Sequence, residues 1–280
     1  GPVNRSFWTD LRAGEFTQGY LRAGGYRTRY LHAGKPTSGA TLDRMAAFLL
    51  LTDAAQAARL AHDGPTLCLD RDRAILATKC GLWWEDARGS FFADFDGKKM
   101  NRSLRPDTIQ IEIENSLRRL DVDCIDLYQT HWPSMPPDHT PIADTMAVLL
   151  KLKQQGKIRA IGVSNVSLDE LKENVRCGGI VSDQFRYSML HREAEVDILP
   201  HCAQHNLATL TYMSLEQGLL TGKIGMDRVF QPGEFRSNTF WNDWLIPVNR
   251  RRVLDLLASW RDLTDKYACT LSQLVLAWTA

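Results

Sequence analysis

The chain has 280 residues, 44% hydrophobic and 24% charged, an ordinary globular composition that is long enough to bury one large core or two smaller ones. Its net charge of +1 gives no electrostatic basis for binding nucleic acid or an anionic membrane, so neither is expected as a partner. Its longest apolar run, residues 46–51, is far too short to span a bilayer, and its first residues lack the pattern of a secretion signal. We therefore expect a cytoplasmic protein that binds a small molecule.

The first seventy residues lack the period-two alternation that is typical of β-strands, and we assign no strand there. Their strongest apolar segment, residues 42–60, predicts a helix. Residues 1–70 are therefore predicted to form an irregular N-terminal segment before a regular region at 71–280.

From residue 74 onward, short apolar runs alternate with longer amphipathic ones, which is the rhythm of parallel strands joined by crossover helices. Predicted strands cover residues 74–79, 124–131, 158–163, 181–187 and 208–212, and predicted helices cover 106–120, 142–155, 167–174, 197–205 and 271–280. Ser167 is the expected N-cap of its helix, with Glu170 as the capping-box partner.

A helix between each pair of strands favours an α/β fold of the (β/α)₈ TIM barrel type over a doubly wound sheet. Residues 71–280 then form the barrel core, and residues 1–70 stand in place of the first barrel units. Strands three to seven are recognisable, which leaves both a complete and an incomplete barrel open.

The cysteines are scattered, and no two have the close spacing of a zinc site or a redox dithiol. They are Cys68, Cys80, Cys124, Cys177, Cys202 and Cys269. Cys202 lies between His201 and His205, but helical spacing directs it away from His201 and no second set of ligands follows. We predict free thiols and no metal site.

In a barrel of this kind the carboxyl ends of the strands form the active face. Lys79 ends an apolar strand, where desolvation of its ammonium is costly without a partner or a role; the alternative is a lysine that extends to solvent at the rim. His131 ends the next strand, where a neutral imidazole can donate to a carbonyl oxygen, although a lone histidine also fits a structural role.

Further polar groups follow the later strands. Ser164 and Asn165 place a hydroxyl and an amide at one strand end, and Gln184 adds an amide at the next, which suits the recognition of a carboxamide. The alternative is that these residues cap the helices that follow. Tyr212 ends the last predicted strand.

Four ordered segments resemble the aldo-keto reductases: Ala77-Thr78-Lys79 and residues 125–133, 156–165 and 215–223. The resemblance covers about residues 72–280 and is greatest to bacterial members that carry a Trp-rich loop after the lysine strand. It implies that NADPH or NADH delivers a hydride to the carbonyl carbon of a small aldehyde or ketone, sugar-like or a 2-oxoaldehyde. A tyrosine assisted by a lysine and an aspartate then protonates the oxygen.

The resemblance also assigns roles to individual residues. Lys79 and His131 match two catalytic positions. Ser164, Asn165 and Gln184 match the groups that hold the carboxamide, Tyr212 matches the ring that stacks on the nicotinamide, Leu215 and Gln217 lie in the segment near the pyrophosphate, and residues 232–236 resemble the loop that closes over the cofactor.

Several tryptophans are expected in loops on the active face, where they predict an aromatic-walled substrate pocket. Those assigned to the pocket are Trp83, Trp84 and Trp132, and Trp241 and Trp244 are expected nearby. Simple packing of the loops is the alternative.

The sequence departs from the family pattern before Lys79. The family carries an aspartate five residues before the catalytic tyrosine, and none of Tyr20, Tyr26 and Tyr30 has one. The last barrel strand is not visible either. Either residues 1–70 supply replacement structure, or the sequence is a truncated or frame-disrupted copy, or another chain completes the barrel through its open edges as a homo-oligomer. A catalytically inactive relative that binds a nicotinamide cofactor or a protein partner is therefore the alternative function.

Overall fold

The computed structural model describes residues 16–23, 26–33, 47–50, 74–95, 97–238 and 241–279. Its strands are β1 (Phe16–Ala23), β2 (Tyr26–Ala33), β3 (Ala47–Leu50), β4 (Ala74–Cys80), β5 (Leu82–Trp83), β6 (Ser90–Phe95), β7 (Lys98–Arg102), β8 (Ile125–Thr130), β9 (Ile158–Ser164), β10 (Ile180–Arg186) and β11 (Ala208–Tyr212). The main sheet is six-stranded, in the order β11-β10-β9-β8-β4-β3, and every neighbouring pair is parallel. It forms part of a (β/α)₈ barrel, which confirms the predicted fold class.

The described helices are α1 (Pro106–Leu120), α2 (Ile142–Gln154), α3 (Leu168–Cys177), α4 (Ile198–Gln204), α5 (Pro247–Ala258), α6 (Arg261–Lys266) and α7 (Leu271–Thr279). The first four connect β4, β8, β9, β10 and β11 of the main sheet in turn, and they lie within a few residues of their predicted positions. The capping box of α3 is confirmed, since the Ser167 hydroxyl accepts from the Glu170 amide and the Glu170 carboxylate accepts from the Ser167 amide. None of the helices in this part of the chain is long and apolar enough to cross a bilayer.

Two apolar clusters hold these elements together. The first joins the sheet to α1, α2 and α3, and its fully buried members include Ile109, Ile113, Ile125, Leu149, Ile158, Ile161 and Leu171. The second, around Leu219, Leu220, Val253, Leu257 and Val275, packs α5 and α7 against the segment after β11. The strand ends described below are therefore carried on a packed framework.

The predicted helix at 42–60 is wrong at residues 47–50, which form β3 beside β4. A short apolar run such as this one is indistinguishable from a buried helix segment by periodicity, and pairing with β4 decides the outcome. Residues 16–23 and 26–33 also form strands, β1 and β2, which pair antiparallel, although the sequence predicts no strand there. The division of the chain at residue 70 stays a prediction.

A second difference lies between β4 and α1, where we predicted only a loop. Strands β5, β6 and β7 form a three-stranded antiparallel sheet in the order β5-β7-β6, here called the hairpin sheet. Gly89 enters β6 with φ +92, and a Cβ there would lie 2.4 Å from the Arg102 carbonyl oxygen, so glycine is required for this close approach. The hairpin sheet stands directly after Lys79.

Asp183 is a fully buried carboxyl on β10 and makes no well-formed side-chain hydrogen bond within the described residues. Burial raises its pKa to about 7 from an ordinary value of 3.8, so the folded state binds more protons than the unfolded state between these values. Its contribution to stability is therefore greatest below pH 4 and is lost as the pH rises to 7. We expect Asp183→Asn to raise the free energy of unfolding more at pH 8 than at pH 5, by about 2 kcal/mol.

Urea unfolding of wild type and Asp183→Asn at both pH values tests this expectation. The exposed Asp169, on the first turn of α3, supplies the control, and Asp169→Asn should show no such pH-dependent gain. An equal effect of Asp183→Asn at pH 5 and pH 8 would contradict a raised pKa at Asp183.

Candidate active site

The candidate site lies along the carboxyl edge of the parallel sheet. Lys79 is opposite Gln129 in the β4-β8 register, and Ser164 is opposite Gln184 in the β9-β10 register. The amide of His131 donates to the Cys80 carbonyl at 2.9 Å, which ties the end of β8 to the end of β4. Polar residues that are far apart in sequence are thereby brought to one edge.

Lys79 is half-buried, and no ion pair joins it to another residue in the described part of the chain. Burial lowers the pKa of its ammonium to about 8, because the charged form loses hydration that no described residue replaces. A lysine with a pKa this close to neutrality can donate or accept a proton in a reaction at neutral pH.

His131 is a neutral imidazole at neutral pH. Burial, and then the positive charges of Lys79 and Arg102, lower its pKa to about 4. Its backbone carbonyl accepts from Asn165 Nδ2 at 2.9 Å, which holds the strand end in place. A neutral imidazole keeps one N–H that can donate to a carbonyl oxygen.

A chain of hydrogen bonds connects Tyr212, the predicted stacking residue, with the three residues predicted to bind the carboxamide. Tyr212 donates its hydroxyl to Asn165 Oδ1 at 2.6 Å, and Asn165 Nδ2 donates to Ser164 Oγ at 3.0 Å. Ser164 Oγ donates in turn to the Gln184 carbonyl at 2.8 Å. The structure therefore assembles all four residues at one place.

Gln129 extends this amide network and was missed by sequence reasoning. Its Nε2 donates to Gln184 Oε1 at 3.2 Å, and its Oε1 is buried without a partner within the described residues. The missed signal was its position two residues before His131, which places both on the same face of the strand. A free buried acceptor beside the donors and acceptors of Ser164, Asn165 and Gln184 fits a carboxamide ligand.

Leu215 and Gln217 lie in a tightly bent segment after β11. Glu216 and Gln217 have φ of +44 and +57, and Glu216 is held by Arg186 Nη2 at 2.6 Å and by the Ser188 hydroxyl at 2.5 Å. The Arg236 Nε–H donates to the Gln217 carbonyl at 3.0 Å, so the predicted closing loop at 232–236 contacts this segment. Glu216 and Arg186 were not among the predicted residues.

The predicted tryptophans divide into two groups. Trp132 contacts the rings of Phe92 and Trp241, each with a centroid separation of 6.0 Å, and it stacks beside His131 at 6.3 Å. Trp83 is instead a buried residue of β5, not of a loop, and its Nε1 donates to Asp86 at 2.7 Å.

The other two tryptophans lie away from Trp132. Trp84 is an exposed residue next to β5, and Trp244 packs against the second apolar cluster. The structure therefore places Trp132 and Trp241 against the site and leaves Trp83 and Trp84 in the hairpin sheet region.

Glu112 of α1 is a second missed residue near Lys79. Both of its carboxylate oxygens accept from the Gly81 amide, at 3.0 and 3.1 Å, and burial raises its pKa to about 8. Glu112 lies four residues after the buried Thr108 and four before the buried Ser116. This helical spacing, which places it on the buried face of α1, was the available signal. Glu112 fixes the turn that follows Lys79.

Cys202 is buried in the first apolar cluster, whereas the rings of His201 and His205 lie 4.3 Å apart. Over the described residues, no group of three His, Cys, Asp or Glu side chains is arranged to hold a metal ion. The described cysteines are free thiols.

The fold and this edge together define a protein of the (β/α)₈ barrel class, and sequence comparison identifies the family. The Aldo/keto reductase family matches residues 64–280. The chain belongs to the aldo/keto reductase family.

Individual relatives agree with this assignment. The NADH-specific methylglyoxal reductase of Escherichia coli (strain K12) is 43% identical over 210 residues, which cover 75% of this chain and 63% of the relative. An aldo-keto reductase of Bacillus subtilis (strain 168) is 36% identical over a segment that covers 68% of this chain and 54% of the length of that relative. The structure of a glycerol dehydrogenase from Gluconobacter oxydans superposes with a TM-score of 0.64 at 35% identity, over 78% of this chain and 61% of that one. The chain thus spans less than two thirds of each of these relatives.

Proposed function

We propose that this protein reduces a small aldehyde or ketone, sugar-like or a 2-oxoaldehyde, to the alcohol with NADH or NADPH. The observation that carries the proposal is the neutral His131 beside a half-buried Lys79 that makes no ion pair with any other described residue, both at the strand ends. The name of the E. coli relative, an NADH-specific methylglyoxal reductase, supports a 2-oxoaldehyde substrate and NADH.

The described residues have separable roles in this proposal. Ser164, Asn165, Gln184 and Tyr212 would hold the nicotinamide end of the cofactor, and Leu215 and Gln217 would lie near its pyrophosphate. The bound cofactor supplies the hydride. His131 donates a hydrogen bond from its N–H to the substrate carbonyl oxygen. The Lys79 ammonium stabilises the negative charge that develops there and passes its proton to the alkoxide, and the neutral amine regains a proton from solvent.

The aromatic wall of Trp132 and Trp241 would enclose the substrate and exclude water from the reacting carbonyl. Trp83 and Trp84 remain predicted pocket residues, although their positions in the hairpin sheet region favour a supporting role. Cytoplasmic location remains our inference from composition and from the free thiols.

A second candidate function is cofactor binding without turnover. It is favoured by the lack of an aspartate five residues before Tyr20, Tyr26 or Tyr30, because the family's proton donor is a tyrosine with that spacing. Association through β3 and β11, the outermost strands of the sheet as far as the structure describes it, also remains a prediction.

The deciding experiment follows the absorbance of NADH and of NADPH with methylglyoxal, glyceraldehyde, glycolaldehyde and dihydroxyacetone. We expect saturable oxidation with at least one of these carbonyl compounds and a preference for NADH. If a cooperatively folded protein binds the cofactor, as seen by fluorescence titration, but oxidises none of it, the second candidate replaces the first.

A further inference from the structure

Arg102, at the end of β7, has an unusual environment for an arginine. Its guanidinium carbon lies 4.3 Å from the ring centroid of Phe92 and 4.4 Å from that of Trp132. Among the described residues, its buried Nε has no hydrogen-bond partner, and its Nη1 donates only to the sulfur of Met135, at 3.6 Å. Sulfur is a weak acceptor, so the guanidinium of Arg102 makes no strong hydrogen bond to another described residue.

The other described arginines that stack on aromatic rings are all paired. Arg88 contacts Asp86 and Asp107, Arg192 contacts Glu195, and Arg228 contacts Glu234. Arg250 donates to three backbone carbonyls. Within the described residues, Arg102 is the stacked arginine without a carboxylate or carbonyl acceptor.

Arg102 also lies on the side of the sheet where the substrate is expected. Its ring partner Trp132 stacks beside His131, and the positive charge of Arg102 contributes to the lowered pKa of His131. An anion bound to Arg102 would therefore lie along the aromatic wall, a short distance from the carbonyl that His131 contacts.

We propose that Arg102 binds the carboxylate of the substrate, so that the preferred substrates are aldehydes or ketones that carry a carboxylate apart from the reacting carbonyl. The planar guanidinium matches a carboxylate with two parallel N–H donors. Phe92 and Trp132 fix its orientation and shield it from water, which strengthens the pairing. This inference rests on the proposed function and names its substrate class.

The test compares kcat/KM for two matched pairs, 4-oxobutanoate with its methyl ester and 4-formylbenzoate with its methyl ester. Wild type should prefer each acid. Arg102→Gln should lower kcat/KM for the acids by about ten- to hundredfold and leave the esters nearly unchanged, since one charge-assisted pair is lost. Arg102→Lys should retain part of the preference. Arg88→Gln, which alters a stacked but already paired arginine of the same region, should leave the preference intact.

A binding measurement separates this inference from the proposed function. Quenching of tryptophan fluorescence by benzoate and by benzamide reports on the anion site without turnover. Selective binding of benzoate that Arg102→Gln removes supports the site even if no carbonyl is reduced. Equal kcat/KM of wild type for acids and esters would overturn the inference and leave the proposed reductase function intact. Equal binding of benzoate and benzamide would also overturn the inference.

Discussion

Replacing Lys79 with methionine is expected to lower kcat/KM for carbonyl reduction by at least about a hundredfold. The ammonium of Lys79 is half-buried at the end of β4, makes no ion pair with another described residue and has a pKa lowered to about 8. Methionine keeps the length and the apolar stem but removes the charge that stabilises the developing alkoxide. Steady-state oxidation of NADH with methylglyoxal measures the effect.

Stability provides the internal control for this variant. Removal of a desolvated ammonium that no other described residue pairs with should leave the free energy of unfolding unchanged or raise it, so Lys79→Met should unfold at the same or a higher urea concentration. Lys223→Met, at an exposed position after the Glu216–Thr221 turn, should alter neither activity nor stability. Retained activity in a folded Lys79→Met protein would remove Lys79 from the chemistry.

Glu216→Gln is expected to destabilise the protein by about 3 kcal/mol, because it leaves the Arg186 charge without its partner in a buried site. Glu216 is 3% exposed, and its two oxygens are shared between Arg186 and the Ser188 hydroxyl. The pair also joins the end of β10 to the bent segment that carries Gln217. Urea unfolding monitored by circular dichroism measures the loss.

A double-mutant cycle with Arg186→Met distinguishes a coupled pair from two independent losses. The double variant should be less destabilised than the sum of the two single variants, since neither charge is then left alone. Glu114→Gln supplies the matched control, because Glu114 pairs with Lys157 at an exposed position and should contribute little. Strict additivity of Glu216→Gln and Arg186→Met would contradict a stabilising ion pair.

Much of the fold after residue 74 follows from local signals. Strands β8 to β11 and helices α1 to α4 are short apolar runs and amphipathic segments with clear boundaries, and the Ser167–Glu170 capping box marks the start of α3. The hairpin sheet escaped prediction because β5 is only two residues long and most residues of β7 are polar. The strand β3 escaped because four apolar residues carry no period of their own.

In the candidate site, too, residues with a local sequence signal were predicted and residues placed by tertiary contacts were missed. Lys79, His131, Ser164 and Gln184 stand at strand ends, where the barrel rule directs attention. Arg102 belongs to the hairpin sheet, and only the tertiary fold brings it into contact with Trp132. The Arg186–Glu216 pair joins residues thirty positions apart, and no local pattern reports such a contact.

The central claim is that this edge of the barrel supports hydride transfer from a nicotinamide to a carbonyl carbon. The most direct measurement uses NADH that carries deuterium at both C4 positions, with methylglyoxal, and follows the product by nuclear magnetic resonance. The account predicts an alcohol with deuterium on the former carbonyl carbon, and loss of that product in Lys79→Met. Oxidation of the cofactor with no deuterium in the alcohol, or no alcohol at all from a folded protein that binds NADH, would contradict it.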